Sequence, residues 1–147
     1  MSSPEGSTVT FRRVPADLRP RAIQSFARKL QREVAKGRPF DCLLTGDAEL
    51  RRLNRQYRGK DYATDVLSFP AAEGHLGDLA ISAARARSQA REFGHTTEDE
   101  VRILMLHGLL HLLGLDHESD GGRMARAERR WRRALGLPNG LIERAHS

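Results

Sequence analysis

The residues best suited to chemistry are three histidines in the run His107-Gly-Leu-Leu-His111-Leu-Leu-Gly114-Leu-Asp116-His117. His107 and His111 lie four residues apart, so on a helix they project from one face, one above the other. Gly114 lets the chain leave the helix, and His117 then arrives within reach of the same point. Three neutral imidazoles with an open fourth position for water describe a catalytic zinc site, with one ion per chain. Nickel, cobalt or iron would also accept such a ligand set. Three separate buried histidines would each need a hydrogen-bond partner in a leucine-rich helix, whereas one shared ion accounts for all of them. The remaining histidines, His75, His95 and His146, fall in loops or the tail and read as solvated.

The ligand spacing matches that of metzincin-type proteases, with one difference. Those enzymes carry a glutamate general base directly after the first histidine; here that position is Gly108. A zinc peptidase is therefore the minor alternative. Asp116, Glu118 and Asp78 are the replacement candidates for a base, and Asp116 could equally orient a ligand histidine from behind.

The elements that must position these groups can be read from periodicity. Val9 to Val14 alternates loosely and reads as a first strand. Asp17 and Pro20 open a helix with Ile23, Phe26, Ala27, Leu30 and Val34 on one face, and Gly37 ends it. Phe40 to Thr45 is a second strand. Asp47 is a good N-cap for a helix to about Tyr57. Val66 to Phe69, closed by Pro70, is a third strand near an edge, and Leu79 to Ile81 a fourth. Ser82 to Phe93 is a polar, alanine-rich helix stopped by Gly94. Thr97 with Glu100 reads as a capping box. It opens a helix to about Leu113 that is apolar nearly all round and so should be buried and central. A last helix runs from about Asp120 to Leu135. The expectation is one α+β domain over 1–147: a small mixed sheet of about four strands packed with about five helices, the central one carrying the H-x3-H motif. Residues 1–8 are expected to be disordered and 139–147 to be a frayed tail.

Composition narrows the setting. A chain of 147 residues can bury one core. Its net charge of +6 and pI of about 10.4 suit a polyanionic partner, RNA or DNA before an anionic membrane, although arginine richness can also reflect genomic base composition. Aromatic residues make up 5%, which argues against extensive base stacking. The single Cys42 excludes an intrachain disulfide, fits a reducing compartment and reads as a small buried hydrophobe. The polar start is no secretory signal, and the greasy stretch Ile103 to Leu115 is too short to span a bilayer. The protein is expected to be soluble and cytoplasmic.

Four segments, in order, resemble the YbeY family of bacterial zinc-dependent endoribonucleases. They are Asn54-Arg-Gln-Tyr-Arg58-Gly-Lys-Asp-Tyr-Ala-Thr64-Asp65-Val-Leu-Ser-Phe-Pro70, Leu76-Gly77-Asp78-Leu-Ala-Ile81, the histidine run itself, and a tail pattern of Met124 with Glu128. Ala63 stands where the family usually has proline, and Leu115 where it has tyrosine. The resemblance implies a single-strand-specific endoribonuclease of rRNA maturation, at the 16S rRNA 3′ end, and of ribosome quality control, with the ribosome or its proteins as partners. It implies that Arg58 is the functional arginine of the cleft, acting with His107, and that Asp65 and Ser68 shape the substrate-binding wall. A guanidinium and a zinc ion together can clamp the charge that builds on a phosphodiester as it is cleaved. Weak base preference and strong salt dependence should follow. A non-catalytic, ribosome-associated RNA-binding factor is the remaining alternative.

Overall fold

The computed structural model describes residues 6–15, 17–71, 74–116 and 120–138. Along these residues run β1 (Thr8–Phe11), α1 (Pro20–Glu33), β2 (Asp41–Thr45), α2 (Asp47–Arg58), β3 (Val66–Pro70), β4 (Gly77–Ser82), α3 (Ala83–Phe93), α4 (Thr97–Leu112) and α5 (Arg123–Leu135). The strands form one mixed sheet in the order β1-β2-β4-β3. β1–β2 and β2–β4 are parallel, and β3–β4 is antiparallel. This is the α+β architecture expected from the sequence. β3 is an edge strand, where the missing N–H of Pro70 interrupts no ladder.

Strand alternation sends side chains to two unlike faces. Val9, Cys42, Leu44, Leu79 and Ile81 face a large core shared with Ile23, Phe26, Ala27 and Leu30 of α1, Ala83 and Ala86 of α3, most of α4 and Met124 of α5. Leu67 and Ala80 face the other way, into a small cluster with Leu50 of α2, flanked by Leu53 and Phe69. α4 lies in the large core because it offers apolar side chains on nearly every side: Val101, Leu104, Met105 and Leu109 are all fully buried. Each such burial contributes about 1.5–3 kcal/mol.

Helix ends use partners that are distant in sequence. The N-cap of α1, Arg19, has no capping side chain of its own. Instead Glu98 of α4 accepts the Arg19 backbone N–H at 2.8 Å and a guanidinium N–H at 2.9 Å, placing a carboxylate at the positive end of α1. Thr96, not Thr97, caps α4, accepting from the Asp99 N–H. Glu100 is not a capping-box partner; it is fully buried and pairs with His95. Gly46 is the N-cap of α2. Asp47 is its first residue, and its carboxylate accepts from Ser82 at 2.6 Å and from Arg85 at 3.2 Å. β1 ends at Phe11, short of the expected Val14, because Arg13 takes a left-handed φ of 54°. Of residues 1–8, expected to be disordered, 1–5 lie outside the described residues; Ser7 is buried and held to Gln31 and the Phe40 N–H. The expected frayed tail, 139–147, lies outside the described residues. Among the described residues no helix is long and apolar enough to cross a membrane.

Candidate functional site

α4 brings His107 and His111 together. Their ring centroids are 4.9 Å apart at 74°, as expected for side chains one turn apart on one helix. His107 is buried and His111 half-buried. The helix stops by a glycine-dependent cap. Gly114, at φ 93°, donates its N–H to His111, and Leu115 donates to Leu110, which satisfies carbonyls that would otherwise be orphaned. The chain then reaches Asp116, exposed at the helix end. His117 and Glu118 lie outside the described residues, so two of the three expected ligands can be placed.

Glu128 holds His107 from behind. α5 is rich in arginine, and its buried residues are Met124 and Glu128. The Glu128 Oε2 lies 2.7 Å from His107 Nδ1, and Glu128 is 1% exposed. An ionised carboxylate can only accept, so Nδ1 carries the hydrogen and Nε2 carries the lone pair. Fixing the tautomer and plane of an imidazole in this way is how carboxylates support metal-binding histidines. Sequence pattern marked Glu128 only as part of a tail match. The readable signal for a buried role was a carboxylate four residues after Met124, on the one apolar side of an arginine-rich helix.

Arg58 and the histidine helix are moored to the same strand residue. The Arg58 guanidinium, at the exposed C-terminal end of α2, donates to the Ser68 carbonyl and sits over the Phe69 ring at 5.8 Å. Ser68 in turn donates its hydroxyl to the Gly108 carbonyl at 3.1 Å, one residue from His107. Gly108 is where α4 comes closest to the sheet: a Cβ there would lie 2.8 Å from Leu79 Cδ2 and 3.2 Å from Val66 Cγ2. Position 108 therefore faces buried Leu79 and half-buried Val66 of the sheet. A glutamate there would be driven into the sheet, away from any ion on the histidines.

The other expected site residues have different surroundings. Asp65 accepts from the Val66 N–H at 2.8 Å and from Gln89 at 3.2 Å, tying β3 to α3. Asp78 lies on the opposite face of β4 from Leu79, hence away from α4, which removes it as a base for that helix's histidines. It joins Asp41 and His75, whose ligand atoms and its own lie within 4.8 Å of one another, close enough to hold a metal ion. Asp41 already accepts from the Thr8 N–H and lies 3.1 Å from His75 Nε2. His75 and His95 are thus not simply solvated: His95 Nε2 is 2.6 Å from the buried Glu100. His146 lies outside the described residues. Cys42 is buried, and burial followed by the nearby Asp41 charge pushes its thiol pKa up, which suits packing and not nucleophilic attack.

Residues 12–136 match the family model described as Endoribonuclease YbeY. Endoribonuclease YbeY of Solibacter usitatus (strain Ellin6076) is 73% identical over 147 residues, covering 100% of both chains. That of Nautilia profundicola is 52% identical over 108 residues, 71% of this chain and 78% of the relative. The solution structure of TM1509 from Thermotoga maritima matches with a TM-score of 0.59 at 29% identity, covering 84% of this chain and 85% of that one. The chain belongs to the endoribonuclease YbeY family.

Proposed function

We propose that this endoribonuclease cleaves single-stranded ribosomal RNA with a zinc ion held by His107, His111 and His117, and that Arg58 grips the phosphate being cut. The observation that carries this reading is the shared mooring at Ser68: its carbonyl takes Arg58, and its hydroxyl takes the helix turn bearing His107. A guanidinium and an imidazole cluster are thereby referenced to one point of the sheet.

The donor set fits zinc: His107 is pre-oriented by Glu128, and His111 sits beside it. When bound, the ion supplies Lewis-acid polarisation of a phosphoryl oxygen and acidifies water. The chain's own residues do the rest. Arg58, a permanent cation with a planar fork, binds two non-bridging oxygens and orients the phosphorus. Ser68 and Phe69 hold that guanidinium in place. Glu128 keeps the basic nitrogen of His107 aimed outward. Asp116 and Glu118, which flank His117 in sequence, are the carboxylates assigned to proton transfer.

The net charge of +6 supports a backbone-tracking contact with RNA; the cytoplasm, ribosomal proteins and the 16S rRNA 3′ end enter this reading through the family resemblance. A peptidase of metzincin type is disfavoured because position 108 faces Val66 and Leu79.

The test pairs elemental analysis with cleavage of a single-stranded RNA oligonucleotide. About one zinc per chain in the wild type, with metal and cleavage both lost in a folded His111→Ala variant, supports the reading. Full cleavage by metal-free protein would remove zinc from it. RNA binding without cleavage in every metal state would favour a purely binding role.

A further inference from the structure

α2 covers only part of its face of the sheet and leaves a groove of about 470 Å³. Its floor is Leu43 and Ala80, and its wall is Leu53, Tyr57 and Phe69. Tyr57 is 62% exposed and stands edge-on to Phe69, with ring centroids 5.5 Å apart. Phe69 also carries Arg58 over its ring, so the groove begins where the Arg58 position ends.

The two ends of the groove carry opposite charge. Asp78 sits at one end, level with Asp41 and Phe69 in the strand register. Asp41 also lines the groove, but its two oxygens already meet the Thr8 N–H and His75, so Asp78 is the carboxylate assigned to a ligand there. Arg12 sits at the other end, its backbone N–H on the Leu44 carbonyl. Asp78 and Arg12 are offset by about 10–13 Å along the strands and lie two strands apart across the sheet, a gap that one nucleotide and the length of an arginine side chain span together.

This pattern selects an occupant. An exposed ring beside apolar floor residues offers a stacking surface for a base. A carboxylate can only accept, so it pairs with an exocyclic amino group. A guanidinium pairs with a phosphate. A lipid chain would gain nothing from the two charged ends, and a uracil has no amino group for Asp78, only an N3–H set between two carbonyl oxygens that a carboxylate repels. We propose that this groove is a nucleotide subsite that takes one unpaired nucleotide whose base carries an exocyclic amino group (adenosine, cytidine or guanosine) flanking the phosphate at Arg58, its base on Tyr57 and Phe69, its amino group on Asp78 and its phosphate on Arg12. The proposal rests on the reading of Arg58 as the phosphate-binding residue. It also places base stacking at a single position in a chain otherwise poor in aromatic residues.

The experiment measures binding of 2′-O-methyl hexamers of A, C and U to full-length, metal-loaded protein at several salt concentrations, together with cleavage of the matching RNA. The expected result is tighter binding of A and C hexamers than of U. Tyr57→Ala and Tyr57→Leu should both weaken binding about tenfold or more; the leucine variant keeps apolar bulk without a ring and guards against a folding artefact. Asp78→Asn should erase the preference for A and C. Arg12→Ala should weaken all hexamers alike and reduce the salt slope by about one phosphate contact. Equal binding of all three hexamers, unchanged by Tyr57→Leu and Asp78→Asn, overturns the subsite. If those variants behave as wild type while Arg58→Ala loses cleavage, the subsite fails and the catalytic reading stands. If Arg58→Ala cleaves normally while Asp78→Asn loses base preference, the catalytic reading and the placement beside Arg58 fail, and nucleotide binding in the groove stands.

Discussion

The two faces of the sheet are built to different standards. The α4 face is closed: Leu104, Met105, Leu109, Leu79 and Ile81 leave almost nothing to water. The α2 face has a small buried apolar cluster, Leu50, Leu67 and Ala80, and leaves Tyr57 standing in solvent. A closed face holds side-chain geometry steady, which the proposed metal ligands His107 and His111 need. An open face keeps apolar and charged groups available to a ligand. Arg58, at the end of α2 but bonded to Ser68 on β3, belongs to both.

The largest expected effect lies at that junction. Arg58→Ala should lower RNA cleavage about 10²–10³-fold while metal content stays at the wild-type level; a loss under threefold would detach Arg58 from the chemistry. Next comes the contrast in packing. Leu109→Ala, on the closed face, should cost about 2–5 kcal/mol in urea unfolding. Leu53→Ala, half-buried on the open one, should cost under about 1.5 kcal/mol because the site can relax and admit water. Equal costs would erase the distinction between the faces.

Glu128→Gln comes third. The amide keeps the shape but loses the charge that orients His107, so zinc affinity should fall about 10–100-fold with the fold intact. Competition against a chelator reads this directly, and unchanged affinity would reduce Glu128 to a packing residue.

The smallest effect concerns Glu98. The Arg19 guanidinium, bonded to it, holds its pKa below the ordinary carboxylate range, with burial opposing and the Arg19 N–H assisting. A lowered folded-state pKa means this contribution is fully present above the ordinary glutamate range and is lost as pH falls through the lowered value. Glu98→Gln should therefore flatten the acid limb of the stability curve slightly and leave neutral stability little changed after solvent screening. An acid limb identical to wild type would contradict that.

What the sequence made legible was whatever is encoded along the chain. The His107–His111 pairing follows from a four-residue step on a helix, and the stop after them from Gly114. The four strands and the edge position of β3 follow from apolar runs and Pro70. Contacts across the fold were not legible. Glu128 meets His107 across 21 positions, and Glu98 meets Arg19 across 79; no local period records either. Asp47 looked like a cap because aspartate favours caps, yet Ser82 and Arg85 claim its carboxylate. His75 and His95 looked solvated because they lie in loops, yet Asp41 and Glu100 take them. Arg58 was distinguishable from the other arginines only through family resemblance, since nothing in its own spacing marks it.

The most direct test is X-ray absorption at the zinc edge on protein loaded with one equivalent of zinc. The proposed centre predicts a shell of three imidazole nitrogens and one light oxygen, reduced in His111→Ala and unchanged in Asp78→Asn. A shell of carboxylate oxygens with a single imidazole, abolished by Asp78→Asn, would place the metal at Asp41, His75 and Asp78 instead and contradict a catalytic ion on α4.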